Sequence, residues 1–123
     1  MMNLVRRILS ALILLWDRLL PAPVEVSRDV AQQSQVDSLT RSLTLYQFVG
    51  CPFCVKVRRQ IRRLGLSIEL KDVLNSTQAH EELMAGGGEY QVPCLRIVQD
   101  DGQIQWLYES DAINSWLTER FAN

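Results

Sequence analysis

The apolar runs between residues 43 and 73 do most to restrict the fold of this chain. LTLYQF at 43–48 is a β-rich apolar run, CPFCVKVRRQIRRL at 51–64 has helical periodicity, and Ser67 to Val73 reads as a second strand after the Gly65 helix stop. Downstream, Ser76 to Ala85 reads as a helix with Gly86-Gly87-Gly88 as its terminator. Cys94 to Val98 and Gln103 to Leu107 flank an Asp100-Asp101-Gly102 turn, and Ser110 to Phe121 reads as a closing helix. The order β-α-β-α-β-β-α predicts an α/β fold. A length of 123 residues, 47% of them hydrophobic and 22% charged, supplies one core and an appendage but not a two-domain enzyme.

The 13 Lys and Arg against 14 Asp and Glu leave a formal net charge of −1, so no global field favours nucleic acid and no nucleic-acid partner is expected. Three Cys is an odd number and too few for a stapled secreted framework; two of them form Cys51-Pro52-Phe53-Cys54, a spacing suited to redox chemistry or metal binding.

Residues 1–20, MMNLVRRILSALILLWDRLL, are the most apolar stretch. The run from Ile8 to Trp16, broken only by Ser10, extends about 14 Å as a helix against a hydrocarbon core of about 30 Å, which is too short to span comfortably. At about 100° per residue, Asn3, Arg6, Arg7, Ser10, Asp17 and Arg18 share one face, with Leu14 as the apolar intruder. Leu4, Val5, Ile8, Leu12, Leu15, Trp16 and Leu19 cover the opposite side. The pattern predicts an interfacial amphipathic helix. Three Arg against one Asp favour anionic lipid and a place on the cytoplasmic face of the inner membrane. Three rivals stay open: a helix packed on the domain or on a second subunit, a spanning helix that tolerates Asp17, and a signal peptide. Against the last stand Asp17, Arg18 and the lack of a small-x-small site before Pro21. Pro21-Ala22-Pro23 breaks the helix and opens a polar linker with room for a helical turn. The expected division is a membrane-associating helix at 1–20, a linker at 21–38 and a domain at 39–123.

Chemistry concentrates at the junction of the first strand and its helix. Pro52 suits the first helical turn, and the free N–H groups of that turn face Cys51, where partial positive charge and hydrogen-bond donation favour thiolate, the nucleophile of disulfide exchange. Counting from Val57, residues Phe53, Cys54, Ile61 and Leu64 fall on one side of the helix, so Cys54 is expected on the buried face as the resolving thiol. A zinc site needs two further ligands, for which the chain offers only Cys94 and His80, in no paired spacing; no metal is expected. His80, beside Glu81 and Glu82, reads as a surface residue without a catalytic part. A second signal is Gln91-Val92-Pro93-Cys94, a proline directly before a strand. A cis Val92-Pro93 bond would end strand pairing there and leave the backbone of Val92 to bind an extended peptide, the alternative being a trans turn proline.

Tyr46, Cys-Pro-Phe-Cys at 51–54, Val92-Pro93 and Glu109-Ser110, in this order and spacing, resemble a glutaredoxin, and also the thioredoxin-fold N-terminal domain of glutathione transferases, over residues 42–121. The resemblance implies a thioredoxin-like fold and glutathione as co-substrate, with Cys51 and Cys54 catalytic. It places Phe53, Gln91, Val92, Pro93, Glu109 and Ser110 around glutathione, with Val92 on its cysteinyl backbone and Glu109-Ser110 at its γ-glutamyl end. Independently, Ser110 is a good N-cap for the last helix, whose N-terminus suits a carboxylate, and Glu109 with Asp111 suits an ammonium group.

Two positions depart from the glutaredoxin pattern: Phe48 stands where a Lys usually binds the glycyl carboxylate, and Tyr108-Glu109 stands where Gly-Gly usually precedes the last helix. These favour larger or more apolar thiol partners. Lys56, Arg58, Arg59, Arg62 and Arg63 put five cations and no acid on the first helix of the domain. They read as a solvated face, as a replacement for the missing Lys, or as a second contact with anionic lipid. Cys94 reads as a small buried hydrophobe, or else as a third thiol near the redox pair. The expected activity is glutathione-linked thiol–disulfide exchange on protein disulfides. The alternatives are a glutathione- or iron–sulfur-cluster-binding module without turnover, and a glutathione-transferase-like protein.

Overall fold

The computed structural model describes residues 2–20, 23, 24 and 26–122. Among these, the elements run α1 Met2–Leu19, α2 Val30–Thr40, β1 Leu43–Gln47, α3 Pro52–Arg63, β2 Glu69–Asp72, α4 Thr77–Gly86, β3 Cys94–Val98, β4 Ile104–Tyr108 and α5 Ser110–Phe121. From β1 onward this is the expected β-α-β-α-β-β-α order, and the fold is thioredoxin-like. One mixed sheet has the order β2-β1-β3-β4, with β1 parallel to β2 and antiparallel to β3, and β4 antiparallel to β3.

Every residue of β1 is buried, because a central strand covered on both faces has no solvent side to alternate with. Leu43, Leu45, Leu95 and Ile97 pack under α3 and α5 with Val57, Ile61, Ile113, Leu117 and Phe121. Tyr46 and Cys94 point to the other face and pack with Ala79 and Leu83 of α4, while Trp106 and Tyr108 of β4 close that layer. The Ser76 hydroxyl accepts from the Ala79 N–H at 3.1 Å and caps α4. The glycine run at its end does more than stop the helix. A Cβ on Gly86 would lie 2.0 Å from the Trp106 ring, and one on Gly87 would lie 2.1 Å from the Tyr108 hydroxyl, so β4 can lie against α4 only because side chains are absent there.

The stretch expected as a linker is more ordered than its composition suggests. Val30–Thr40 forms a helix of 11 residues. Asp29 Oδ1 accepts from the Gln32 N–H at 2.7 Å while Gln32 Oε1 accepts from the Asp29 N–H at 3.2 Å, a reciprocal cap. Arg28 donates to the carbonyl of Leu64 at 2.7 Å and to that of Phe121, so one cation satisfies the C-terminal ends of both α3 and α5. Gln33 donates to the Gly65 carbonyl at 2.9 Å, and Val26 and Val36 pack on the larger core cluster. Residues 26–40 are a strap over the helix ends. Pro21 and Ala22, expected to break α1, lie outside the described residues.

Helix α1 packs on α3. Its half-buried residues are Ser10, Ile13, Leu14 and Asp17, a single stripe at helical spacing. Asp17 accepts from Arg59 Nη1 at 3.0 Å, the same nitrogen donates to the Leu20 carbonyl at 2.8 Å, and the Ser10 side chain lies against Gly50. The helix therefore docks through a mixed stripe, Ser10 and Asp17 supplying its polar contacts and Ile13 and Leu14 its apolar ones. Leu4, Val5, Ile8, Leu12, Leu15, Trp16 and Leu19 are all exposed, Trp16 at 63% and Leu19 at 69%. No helix among the described residues is long and apolar enough to cross a membrane.

Candidate functional site

The backbone turns out of β1 at Phe48, and the Cys51 N–H donates to the Phe48 carbonyl at 3.3 Å. Cys51 then takes the N-cap position of α3 with Pro52 in the first turn, and no side chain caps the remaining N–H groups. Arg58, one turn further on, donates to Gln47 Oε1 at 2.6 Å and to the Val49 carbonyl at 2.9 Å, which fastens the loop in front of Cys51. Cys51 is partly exposed, whereas Cys54 is fully buried, and all three cysteines are free thiols. Burial pushes the Cys54 thiol up to about 12; the backbone of Phe48 opposes the rise and the neighbouring Cys51 adds to it. Only Cys51 is placed to attack. The helix face differs from expectation at one residue: Cys54, Val57, Ile61 and Leu64 are buried, but Phe53 is 61% exposed.

Phe53 is instead one wall of a cleft. Gln91, Val92, Pro93, Glu109, Ser110 and Asp111 form the rest of it, around a volume of about 280 Å³. The Val92–Pro93 bond is cis, and β3 begins only at Cys94, so Val92 stands outside the ladder. Three segments far apart in the chain thus converge: the start of α3, the turn before β3 and the start of α5. The six residues expected around glutathione all line this one cleft. Asp111, which the sequence pairs with Glu109 as suited to an ammonium group, lines it too and ion-pairs with Lys56 of α3.

Ser110 is not the N-cap of α5. Glu109 holds that position with φ 75° and ψ 130°, and Ser110 is the first helical residue, nearly buried. The cations of α3 are mostly committed: Lys56 to Asp111, Arg58 to the loop before Cys51 and Arg59 to α1. A larger hollow of about 430 Å³ is bounded by Asp17, Val24, Arg58, Arg59, Arg62 and the start of β2. Among the described residues, no cysteine lines either cavity, but Phe53 of the smaller cleft stands two residues after Cys51, at the N-terminal end of α3.

Cys94 is fully buried on the α4 face of the sheet, opposite to the face under α3. Burial pushes its thiol up to about 12, and its polar neighbour is the Tyr108 hydroxyl. The arrangement matches a small core residue rather than a third redox thiol. His80 is exposed and meets the Tyr90 ring edge-on at 4.8 Å. Glu82 accepts from the Tyr46 hydroxyl at 2.6 Å and from Lys71 at 2.7 Å, tying α4 to β1 and β2; these two bonds hold its carboxyl below the usual carboxylate range.

A search of curated protein sequences gave no match. A sequence profile of the glutathione S-transferase N-terminal domain matches residues 45–123. Solved structures of maleylacetoacetate isomerase from Anaeromyxobacter dehalogenans 2CP-1 are similar. The structure with glutathione bound in the active site has 31% identity and a TM-score of 0.51 over 67% of this chain and 38% of that one. The one with dicarboxyethyl glutathione and citrate has 30% identity and a TM-score of 0.50, and covers the same shares. The chain spans little more than a third of the length of these structures. The glutaredoxin resemblance agrees in fold but is the less specific of the two likenesses: the chain belongs to the glutathione S-transferase N-terminal domain family.

Proposed function

We propose that the cleft binds glutathione and that Cys51 carries out glutathione-linked thiol–disulfide exchange. The observation that carries this reading is the convergence of Phe53, Gln91, Val92, Pro93, Glu109 and Ser110 on one cleft at the end of the helix that Cys51 caps. The Cys51 thiolate attacks the glutathione sulfur of a protein–glutathione mixed disulfide. A Cys51–glutathione disulfide forms, and the protein thiolate leaves and takes a proton. A second glutathione thiolate then attacks the glutathione sulfur, releasing oxidised glutathione and the Cys51 thiolate; glutathione supplies the two electrons. Cys54 is fully buried and burial raises its thiol well above the usual value, which favours glutathione over Cys54 as the group that resolves the intermediate.

A transferase-like reading is favoured by the likeness to an isomerase structure that holds glutathione. There the cleft presents the glutathione thiolate to an electrophile and no mixed disulfide forms. The experiment is the rate at which the full chain removes glutathione from a glutathionylated peptide, run beside glutathione consumption by an electrophilic acceptor. Thiol–disulfide exchange predicts an active parent, a Cys51→Ser variant reduced at least a thousandfold and a Cys54→Ser variant within a few-fold of the parent. No removal of glutathione, together with consumption by the electrophile, moves the assignment to transfer.

A further inference from the structure

We propose that α1 lies on the surface of an anionic phospholipid bilayer, with its outward apolar face in the acyl boundary. The proposal stands apart from the reading of the cleft. Leu4, Ile8, Leu12, Leu15, Trp16 and Leu19 form a continuous exposed stripe, because α1 meets the protein through Ser10, Ile13, Leu14 and Asp17 instead. Apolar side chains usually pack inward, so a helix whose broad apolar side faces outward leaves this surface for something else to cover.

Charge selects the cover. The single acid of the helix, Asp17, is paired inward with Arg59, which leaves Arg6, Arg7 and Arg18 as its exposed charges. Among the described residues, no ion pair engages these three. Arg7 and Arg18 fall on one shoulder of the apolar stripe, where long side chains reach phosphate groups while the stripe stays in hydrocarbon. A second copy of the chain, apposed through the same face, would bring cations against cations with no exposed acid of α1 to meet them. A bilayer carrying acidic headgroups satisfies the stripe and the shoulder together. Trp16, amphipathic and at the edge of the stripe, is suited to the headgroup level.

The test is cell-free synthesis of the full chain in the presence of vesicles, followed by flotation. The chain should float with phosphatidylcholine–phosphatidylglycerol vesicles and much less with phosphatidylcholine alone, and added salt should weaken the binding. Arg7→Gln and Arg18→Gln should each lower the bound-to-free ratio about fivefold. Leu12→Glu with Trp16→Glu should abolish flotation, and an unchanged thermal melt will show that these exposed changes leave the domain folded. Bromine-labelled acyl chains should quench fluorescence in the parent but not in a Trp16→Phe variant. Several results would overturn the proposal: equal binding to neutral vesicles that survives an alkaline carbonate wash, flotation of the Leu12→Glu, Trp16→Glu variant, or a chain left at the bottom as a defined dimer or an aggregate.

Discussion

Glu109 holds φ 75° and ψ 130°, a backbone conformation that glycine adopts freely and that costs other residues about 1–3 kcal/mol. The chain keeps a carboxylate there, on the wall of the cleft. Glu109→Gly should therefore stabilise the protein by about 1 kcal/mol in urea denaturation while weakening glutathione binding. Glu109→Ala, which retains the strained backbone and loses the carboxylate, should weaken binding with no gain in stability. A Gly variant no more stable than the Ala variant would show that the backbone is not strained at this position. The replacement of a usual Gly-Gly by Tyr108-Glu109 is plain in the amino acids, whereas the sign of φ is not, because the turn into α5 is set by the packing of β4 and the helix together.

At the scale of elements, the helices and strands with an apolar face were legible, since periodicity records which side meets the core. Helix α2 was not, because VAQQSQVDSLT has no apolar face to read. Its evidence lay in the Asp29 and Gln32 spacing of a reciprocal cap. Its docking depends on Arg28 and Gln33, whose partners are carbonyls at the ends of α3 and α5 and in the turn at Gly65. No side-chain pattern announces that a distant helix ends with its carbonyls free. Arg28→Met keeps the stem but removes the donors, and it should cost about 2 kcal/mol, read from the shift of the urea midpoint at constant slope. A loss below about 0.5 kcal/mol would mean that the strap adds nothing to the fold. The residues of the cleft were legible one by one through the family resemblance. That they share one cleft depends on sheet order, which brings the turn before β3 beside β1.

Across the whole molecule, the two sheet faces bury two thiols, Cys54 at the start of α3 and Cys94 under α4, both raised by burial to about 12. Unfolded thiols titrate near 8.5, so above that pH the unfolded chain loses protons that the folded protein retains, and stability falls as pH rises toward 12. Each thiol contributes up to about 1.4 kcal/mol per pH unit to the decline. Denaturant midpoints between about pH 8 and pH 10 should show it, and Cys94→Ala, whatever its cost at neutral pH, should flatten the slope by about one thiol's share. An unchanged slope would mean that Cys94 ionises as easily in the folded protein as in the unfolded chain.

The contact of Ser10 with Gly50 places α1 beside the residue that precedes Cys51. A reactive group carried on a flexible leash sweeps a hemisphere and meets targets at any height, whereas one clamped to its own anchor works like a depth stop. On the bilayer proposed above, Cys51 would be held at a fixed elevation, on the order of one helix diameter, about 10 Å, from the axis of α1. Selectivity among membrane proteins would then follow the distance between a target cysteine and the lipid surface, a ruler that needs no recognition of the amino acids around it.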